Sequence, residues 1–190
     1  MSLRLSGGRL LQSPPGTSAR PTPSRVRLAV MNMLAADLPG CRWLDLFSGS
    51  GVMGCEALQR GAAAVVAVDQ QRAMASTSRI NLERTASGLN PTPVLQVECQ
   101  EVVRWLESGR PEALAPFDLI YADPPYNAGL YGAVAAAVRH GDWLNSQGIL
   151  LLECSSSALP TSSGGALEGW ELLKQKRYGS STVLLLAAAA

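Results

Sequence analysis

The sequence predicts an α/β fold: a mostly parallel, Rossmann-like seven-stranded sheet that ends in an antiparallel hairpin. Three observations carry this reading. From Cys41 onward short apolar runs alternate with helical patterns, the signature of parallel strands covered on both faces. The first run ends in a glycine turn, Phe47-Ser48-Gly49-Ser50-Gly51. The fourth, Phe117-Asp118-Leu119-Ile120-Tyr121-Ala122, meets Asp123 and then Pro124-Pro125, and two successive prolines cannot continue a strand.

Residues 3–11, with Gly7-Gly8 at their centre, suit a small hairpin, because a glycine pair fits its turn. Residues 12–22 are rich in Pro, Gly and Ser and read as a loop. Pro23-Ser24 opens a helix through about residue 36, with Val26, Val30, Met33 and Leu34 at helical spacing, and Pro39-Gly40 closes it. Strands are expected at 42–47, 63–68, 94–98, 117–122 and 148–153. Helices are expected at 52–60 (ended by Gly61), 72–85, 101–107 and 131–140. Residues 170–177 and 181–186, joined at Tyr178-Gly179, form the terminal hairpin. By this reading residues 1–40 are a basic arm and helix, and residues 41–190 the α/β domain.

At 190 residues the chain fits one domain, and 47% apolar with 16% charged residues is not the mix of a disordered chain. Abundant alanine and scarce aromatics predict a core of small and branched aliphatic groups. The longest apolar runs, such as 183–190, fall short of the roughly 20 residues a membrane span needs. No apolar stretch follows the first arginines as it would in a secretory signal. A cytoplasmic monomer without membrane partners is expected. Cys41, Cys55, Cys99 and Cys154 are scattered and His140 is the single histidine, so no metal site or disulfide framework is expected. Cys55 and Cys99 read as small buried apolar groups.

The net charge of +1 conceals an asymmetry. Residues 1–44 hold six arginines (Arg4, Arg9, Arg20, Arg25, Arg27, Arg42) against Asp37, a local charge of +5. The other ten bases and fourteen acids leave −4 on the remainder. A basic arm on a near-neutral body points to phosphates; a solvated arginine-rich terminus is the plain alternative.

Gly49, Gly51 and Gly54 match the G-x-G-x-x-G spacing, and Asp69 follows Gly49 by twenty residues at the end of the second strand. That pattern also suits a dinucleotide. Asp45 tilts the balance against it, because a carboxylate upstream of the glycines would repel a pyrophosphate. It suits instead the amino and sulfonium groups of S-adenosylmethionine, whose ribose hydroxyls Asp69 can accept on two oxygens. A mere tight turn with a strand-end acid is the competing reading.

The Asp123-Pro124-Pro125-Tyr126 turn fits an exocyclic nucleobase amine. Such an amine is a poor nucleophile, its lone pair being delocalised into the ring. The Asp123 carboxylate and the Pro124 carbonyl, aimed at its protons, would localise that pair, and proline keeps the carbonyl from swinging away. Tyr126 offers a face on which an extruded base can stack. Positioning and electrostatics suffice for a direct transfer. No cysteine lies near Asp123, which disfavours methylation at ring carbon through a thiol nucleophile. A plain proline turn ended by a core tyrosine is the alternative.

Taken with 20–27 (Arg-Pro-Thr-Pro-Ser-Arg-Val-Arg), 44–51 (Leu-Asp-Leu-Phe-Ser-Gly-Ser-Gly) and 56–62 (Glu-Ala-Leu-Gln-Arg-Gly-Ala), the turn resembles the RsmD family. The likeness spans nearly the whole chain, including Tyr178-Gly179. It implies a class I S-adenosylmethionine-dependent methyltransferase that modifies the N2 amine of one guanine in bacterial 16S ribosomal RNA. Thr22, Asp45, Phe47, Gly49, Ser50, Gly51, Asp69 and Glu101 would line the cofactor, and Asp123 to Tyr126 would hold the guanine. Arg20, Arg25 and Arg27 would face the RNA, in an assembled or partly assembled small subunit. The chain departs from the family at Leu28 and Met31, where Glu and Phe are usual, and at Glu101, where Asp or Asn is. Its basic segment near the N-terminus is also shortened.

Three rivals share some of these features. A DNA adenine-N6 methyltransferase uses the same tetrapeptide but usually carries a sizeable target-recognition domain. A nicotinamide-dependent oxidoreductase would share the glycine turn, against which Asp45 and Pro124-Pro125 argue. A non-catalytic RNA-binding module would have no need of Asp123.

Overall fold

The computed structural model describes residues 3–14, 24–125, 129–160 and 165–189. Its elements run α1 (Ser24–Met33), β1 (Arg42–Leu46), α2 (Val52–Leu58), β2 (Ala64–Val68), α3 (Arg72–Ala86) and β3 (Val94–Glu98). There follow α4 (Val102–Glu107), β4 (Phe117–Ala122), α5 (Tyr131–His140), β5 (Leu144–Ser155), β6 (Trp170–Tyr178) and β7 (Ser181–Ala188). The strands form one sheet in the order β3-β2-β1-β4-β5-β7-β6. Two compact units, Met1–Gln100 and Glu101–Ala190, make up the chain. Among the described residues no helix is long and apolar enough to cross a membrane.

In the first unit β1, β2 and β3 are parallel, with Leu44 opposite Val66 and Val66 opposite Gln96. Every residue of β2 is buried, as an Ala-Val-Val-Ala-Val run covered on both faces must be. Helix α2 is buried along its whole length. Gly54 permits that closeness, since a Cβ there would lie 2.8 Å from Val65 Cγ1. The expected hairpin is present as a single antiparallel bridge, Arg4 to Leu10, turned by Gly8 at φ 84°. Helix α1 stops at Met33, three residues short of expectation. Asp37 N–H then bonds to the Leu34 carbonyl at 2.8 Å, tightening the chain ahead of Pro39.

In the second unit β4 and β5 are parallel, and β7 pairs antiparallel with both β5 and β6. Strand β5 begins four residues before the expected Gly148, because the polar stretch Asn145-Ser146-Gln147 hid it. There the register with β4 is irregular, and the Asn145 amide donates to the Asp118 carboxylate. The unit's interior is more aromatic than composition implied. Phe117, Tyr121 and Trp143 are among the largest fully buried side chains, and the Trp105 and Trp143 rings lie 4.3 Å apart. Two of the unit's buried indoles are hydrogen-bonded: Trp143 Nε1 donates to the Leu106 carbonyl at 3.0 Å and Trp170 Nε1 to the Ala135 carbonyl at 3.2 Å. Cys55 is buried as expected, but Cys99 is exposed, because it follows β3 at the loop after the strand end.

Candidate functional site

At the carboxyl end of β1 the backbone turns sharply. Phe47 takes φ 58° and so leaves the strand one residue early; Gly49 and Gly51 follow at 53° and 74°. Gly51 is the left-handed residue from which α2 starts, and a Cβ on it would meet Ser78 Oγ at 2.4 Å. Two carboxylates brace this turn from below. Asp45, 1% exposed, accepts the Gly54 N–H through Oδ2 at 3.0 Å. Asp69 accepts the Gly49 N–H on Oδ2 at 2.9 Å and the Gln71 N–H on Oδ1 at 2.8 Å. Each Asp69 oxygen keeps a second acceptor direction.

The turn has room for a ligand. A Cβ built on Gly49 meets nothing within 4 Å, and Phe47, Gly49 and Ser50 are partly exposed. Ser48 Oγ is buried with no hydrogen-bond partner among the described residues. Partly exposed glycine backbone, an orphaned hydroxyl and a strand-end carboxylate fit an aminoacyl and ribose-bearing cofactor.

Asn81 was missed by sequence reasoning. From α3 its amide donates to the Ser50 carbonyl at 2.9 Å and to the Gln12 carbonyl at 3.0 Å, and its Oδ1 accepts the Gln12 N–H at 2.8 Å. It thereby ties the N-terminal segment to the glycine turn. The available signal was a poor helix former inside a helix.

The basic arm divides. Arg25 is exposed on α1. Arg27 was expected among the phosphate-facing arginines, but only 6% of it is exposed. Its Nη2 donates to the Arg4 carbonyl at 2.8 Å, and its Nε lies 4.0 Å from Glu56 Oε1. Burial lowers its pKa, against which Glu56 acts. Glu56 also takes the Ser6 N–H at 2.8 Å and Arg60 Nη1 at 2.7 Å. Arg27 therefore fastens α1 and the hairpin to α2. Arg20 and Thr22 lie outside the described residues.

In the second unit β4 ends as expected. Asp123 is partly exposed, Pro124 is buried and Pro125 exposed; Tyr126 lies outside the described residues. Burial, and after it the Glu153 carboxylate, pushes the Asp123 carboxyl up to about 8. Glu153, 1% exposed at the end of β5, accepts the Tyr121 hydroxyl proton at 2.5 Å. Glu101 caps α4, its two oxygens accepting the Val103 and Arg104 N–H groups at 3.1 and 2.8 Å.

A parallel sheet closed by an antiparallel hairpin, with a glycine turn after its first strand, defines the class I methyltransferase fold. The chain belongs to the family described as "Conserved hypothetical protein 95", whose model matches residues 5–187. It is 30% identical to YlbH of Bacillus subtilis (strain 168) across 94% of this chain and 92% of that protein. With "Ribosomal RNA small subunit methyltransferase D" of Escherichia coli (strain K12) it shares 29% identity over 90% of this chain and 81% of the relative. The solved structure of yhhF from Escherichia coli, 27% identical, superposes with a TM-score of 0.78 and covers 100% of this chain and 99% of that one. The expected RsmD kinship is thereby borne out.

Proposed function

We propose that the protein transfers a methyl group from S-adenosylmethionine to the exocyclic N2 amine of a guanine in small-subunit ribosomal RNA. The observation that carries this is Asp123: a carboxyl at the end of β4, backed by two prolines, whose affinity for a proton is raised toward neutrality. Family membership and the name of the Escherichia coli relative support the substrate class.

Bound S-adenosylmethionine supplies an electrophilic methyl group. The chain's part is to hold and orient. Asp69 would accept ribose hydroxyls with the acceptor directions its backbone bonds leave open, and the Gly49-Ser50-Gly51 turn would hold the aminoacyl portion. Asp45 keeps the turn in register through Gly54, and its carboxylate would suit the cofactor's amino and sulfonium groups. On the substrate side, Asp123 and the Pro124 carbonyl accept the two amine protons and localise the lone pair. Proline's fixed φ keeps that carbonyl aimed. Tyr126 stacks the splayed guanine, and Arg20 and Arg25 meet phosphates. Outside residues 1–44 the acids outnumber the bases by four, so recognition relies on RNA already shaped by assembly.

Mass spectrometry of ribosomal RNA nucleosides from cells with and without the protein tests the reading. N2-methylguanosine in small-subunit RNA should fall when the protein is removed and return on re-expression. An unchanged level, or loss of N6-methyladenine from DNA instead, overturns it.

A further inference from the structure

Strand β5 interrupts its apolar run Ile149-Leu150-Leu151-Leu152 with Glu153, although the position is 1% exposed. A carboxylate in such a place is costly unless it is paired, and packing alone would be better served by another leucine. Yet among the described residues no Lys or Arg forms an ion pair with Glu153 or Asp123. The partner of Glu153 is the hydroxyl of Tyr121, itself 1% exposed. The β4–β5 register runs Tyr121 to Leu151 and Ala122 to Leu152, and one step further it sets Asp123 beside Glu153. Two acids thus stand at adjacent strand ends, one anchored by a tyrosine and the other at the strand terminus.

We propose that Glu153 is a positioning residue acting through Asp123: anchored by Tyr121, its charge keeps the Asp123 carboxylate a strong proton acceptor for the methyl-accepting amine. This rests on the methyl-transfer reading above. In that reaction the N–C bond forms as the donor's C–S bond breaks, the electron pair staying on sulfur. The amine nitrogen then carries one proton too many, and Asp123 takes it as a neutral carboxyl, later releasing it to solvent. An ordinary carboxylate is a weak base for that task; one beside a like charge in a buried place is better matched. The raised proton affinity of Asp123 agrees, with burial its larger cause and Glu153 its second.

Among the described residues, the groups around the pair add no positive charge that would undo this. Strand β4 contributes Tyr121, and β5 contributes Cys154. Against the expectation that no cysteine lies near Asp123, the strand pairing brings this one close, and its thiol is pushed up to about 12 by burial, Glu153 and Asp123. Strand β7 sets the uncharged Val183 opposite Glu153, and α5 brings Tyr131, whose hydroxyl accepts the Ser155 N–H at 3.3 Å.

The test is a titration followed by carbon-13 NMR of aspartate-labelled protein, with Asp123 assigned by its loss in Asp123→Asn, beside the pH profile of methyl transfer. In wild type the Asp123 signal and the rate should rise together near pH 8. In Glu153→Gln both midpoints should move down by about one pH unit or more, since a like charge of this kind shifts a neighbour by that order. Melting temperature and cofactor affinity report whether the variant folds. Should it not, Tyr121→Phe serves: it removes the hydroxyl that anchors Glu153 beside Asp123, and Asp123 again titrates lower. An Asp123 midpoint unmoved in the folded variant overturns the inference even if the wild type methylates ribosomal RNA. A wild type that shows the carboxyl behaviour but transfers no methyl group overturns the functional reading instead.

Discussion

Both units place acids at the carboxyl ends of parallel strands, but they treat them in opposite ways. In the first unit Asp45 and Asp69 receive backbone N–H groups, from Gly54 for one and from Gly49 and Gln71 for the other. In the second, Asp123 accepts no hydrogen bond from the described residues, and Glu153 has one tyrosine hydroxyl. N–H donors stabilise the charged form; burial beside a like charge penalises it. The first arrangement commits its acids to backbone N–H groups, and the second leaves Asp123 with a raised affinity for a proton. Binding suits the former and proton transfer the latter.

The sharpest way to break the comparison is Asp123→Ala. Methyl transfer should fall by roughly 10²–10⁴-fold, the usual contribution of a positioned proton acceptor, while cofactor affinity changes little. Calorimetry showing affinity lost in step with activity would move Asp123 to the cofactor's side. Next is Asp69→Ala, which removes an acceptor worth roughly 1.5–3 kcal/mol per hydrogen bond. Its dissociation constant for S-adenosylmethionine should rise at least tenfold or so, with the Gly49 and Gln71 N–H groups left unpaired as well. Gly51→Ala attacks the same turn through the backbone. A side chain at φ 74° against Ser78 Oγ should cost about 1–3 kcal/mol and lower the melting temperature.

A smaller effect separates the two arginines of α1. Arg25→Ala should weaken RNA binding and flatten its salt dependence by roughly one unit of slope, leaving the melting temperature alone. Arg27→Ala should do the reverse, because it leaves Glu56 with less compensation in the interior. Equal effects on RNA binding would return Arg27 to the surface reading.

These cases mark how far the sequence could be read. The alternation of strands and helices was legible, because apolar runs, glycines and prolines are local signals. Asp45, Gly49, Gly51, Asp69 and Asp123 were legible for the same reason, each standing in a short motif at a strand end. The arginine arm was not, since charge counts carry no information about direction. Arg9 spends its guanidinium on the Arg84 and Thr85 carbonyls at the end of α3, and Arg27 on Arg4 and Glu56. Glu153 escaped notice because its meaning comes from pairing with Asp123 across the strand register, thirty residues away in sequence.

The smallest expected effect tests the titratable half of the comparison without any substrate. Unfolded, Asp123 ionises near its ordinary value of 3.8; folded, it holds its proton up to about 8. Between those values the folded state binds more protons than the unfolded chain. Stability contributed by this carboxyl is therefore full at the acid end, declines as pH rises through the window and levels off above it. Glu153→Gln removes the second cause of the shift and leaves burial, so the decline should end at lower pH. Relative to wild type the variant should gain stability above neutrality and converge with it in acid, once the general effect of the substitution is subtracted. Urea midpoints measured from about pH 5 to about pH 9 show this as two curves that diverge. Parallel curves would mean that the two acids do not act on each other, and that burial alone raises the proton affinity of Asp123.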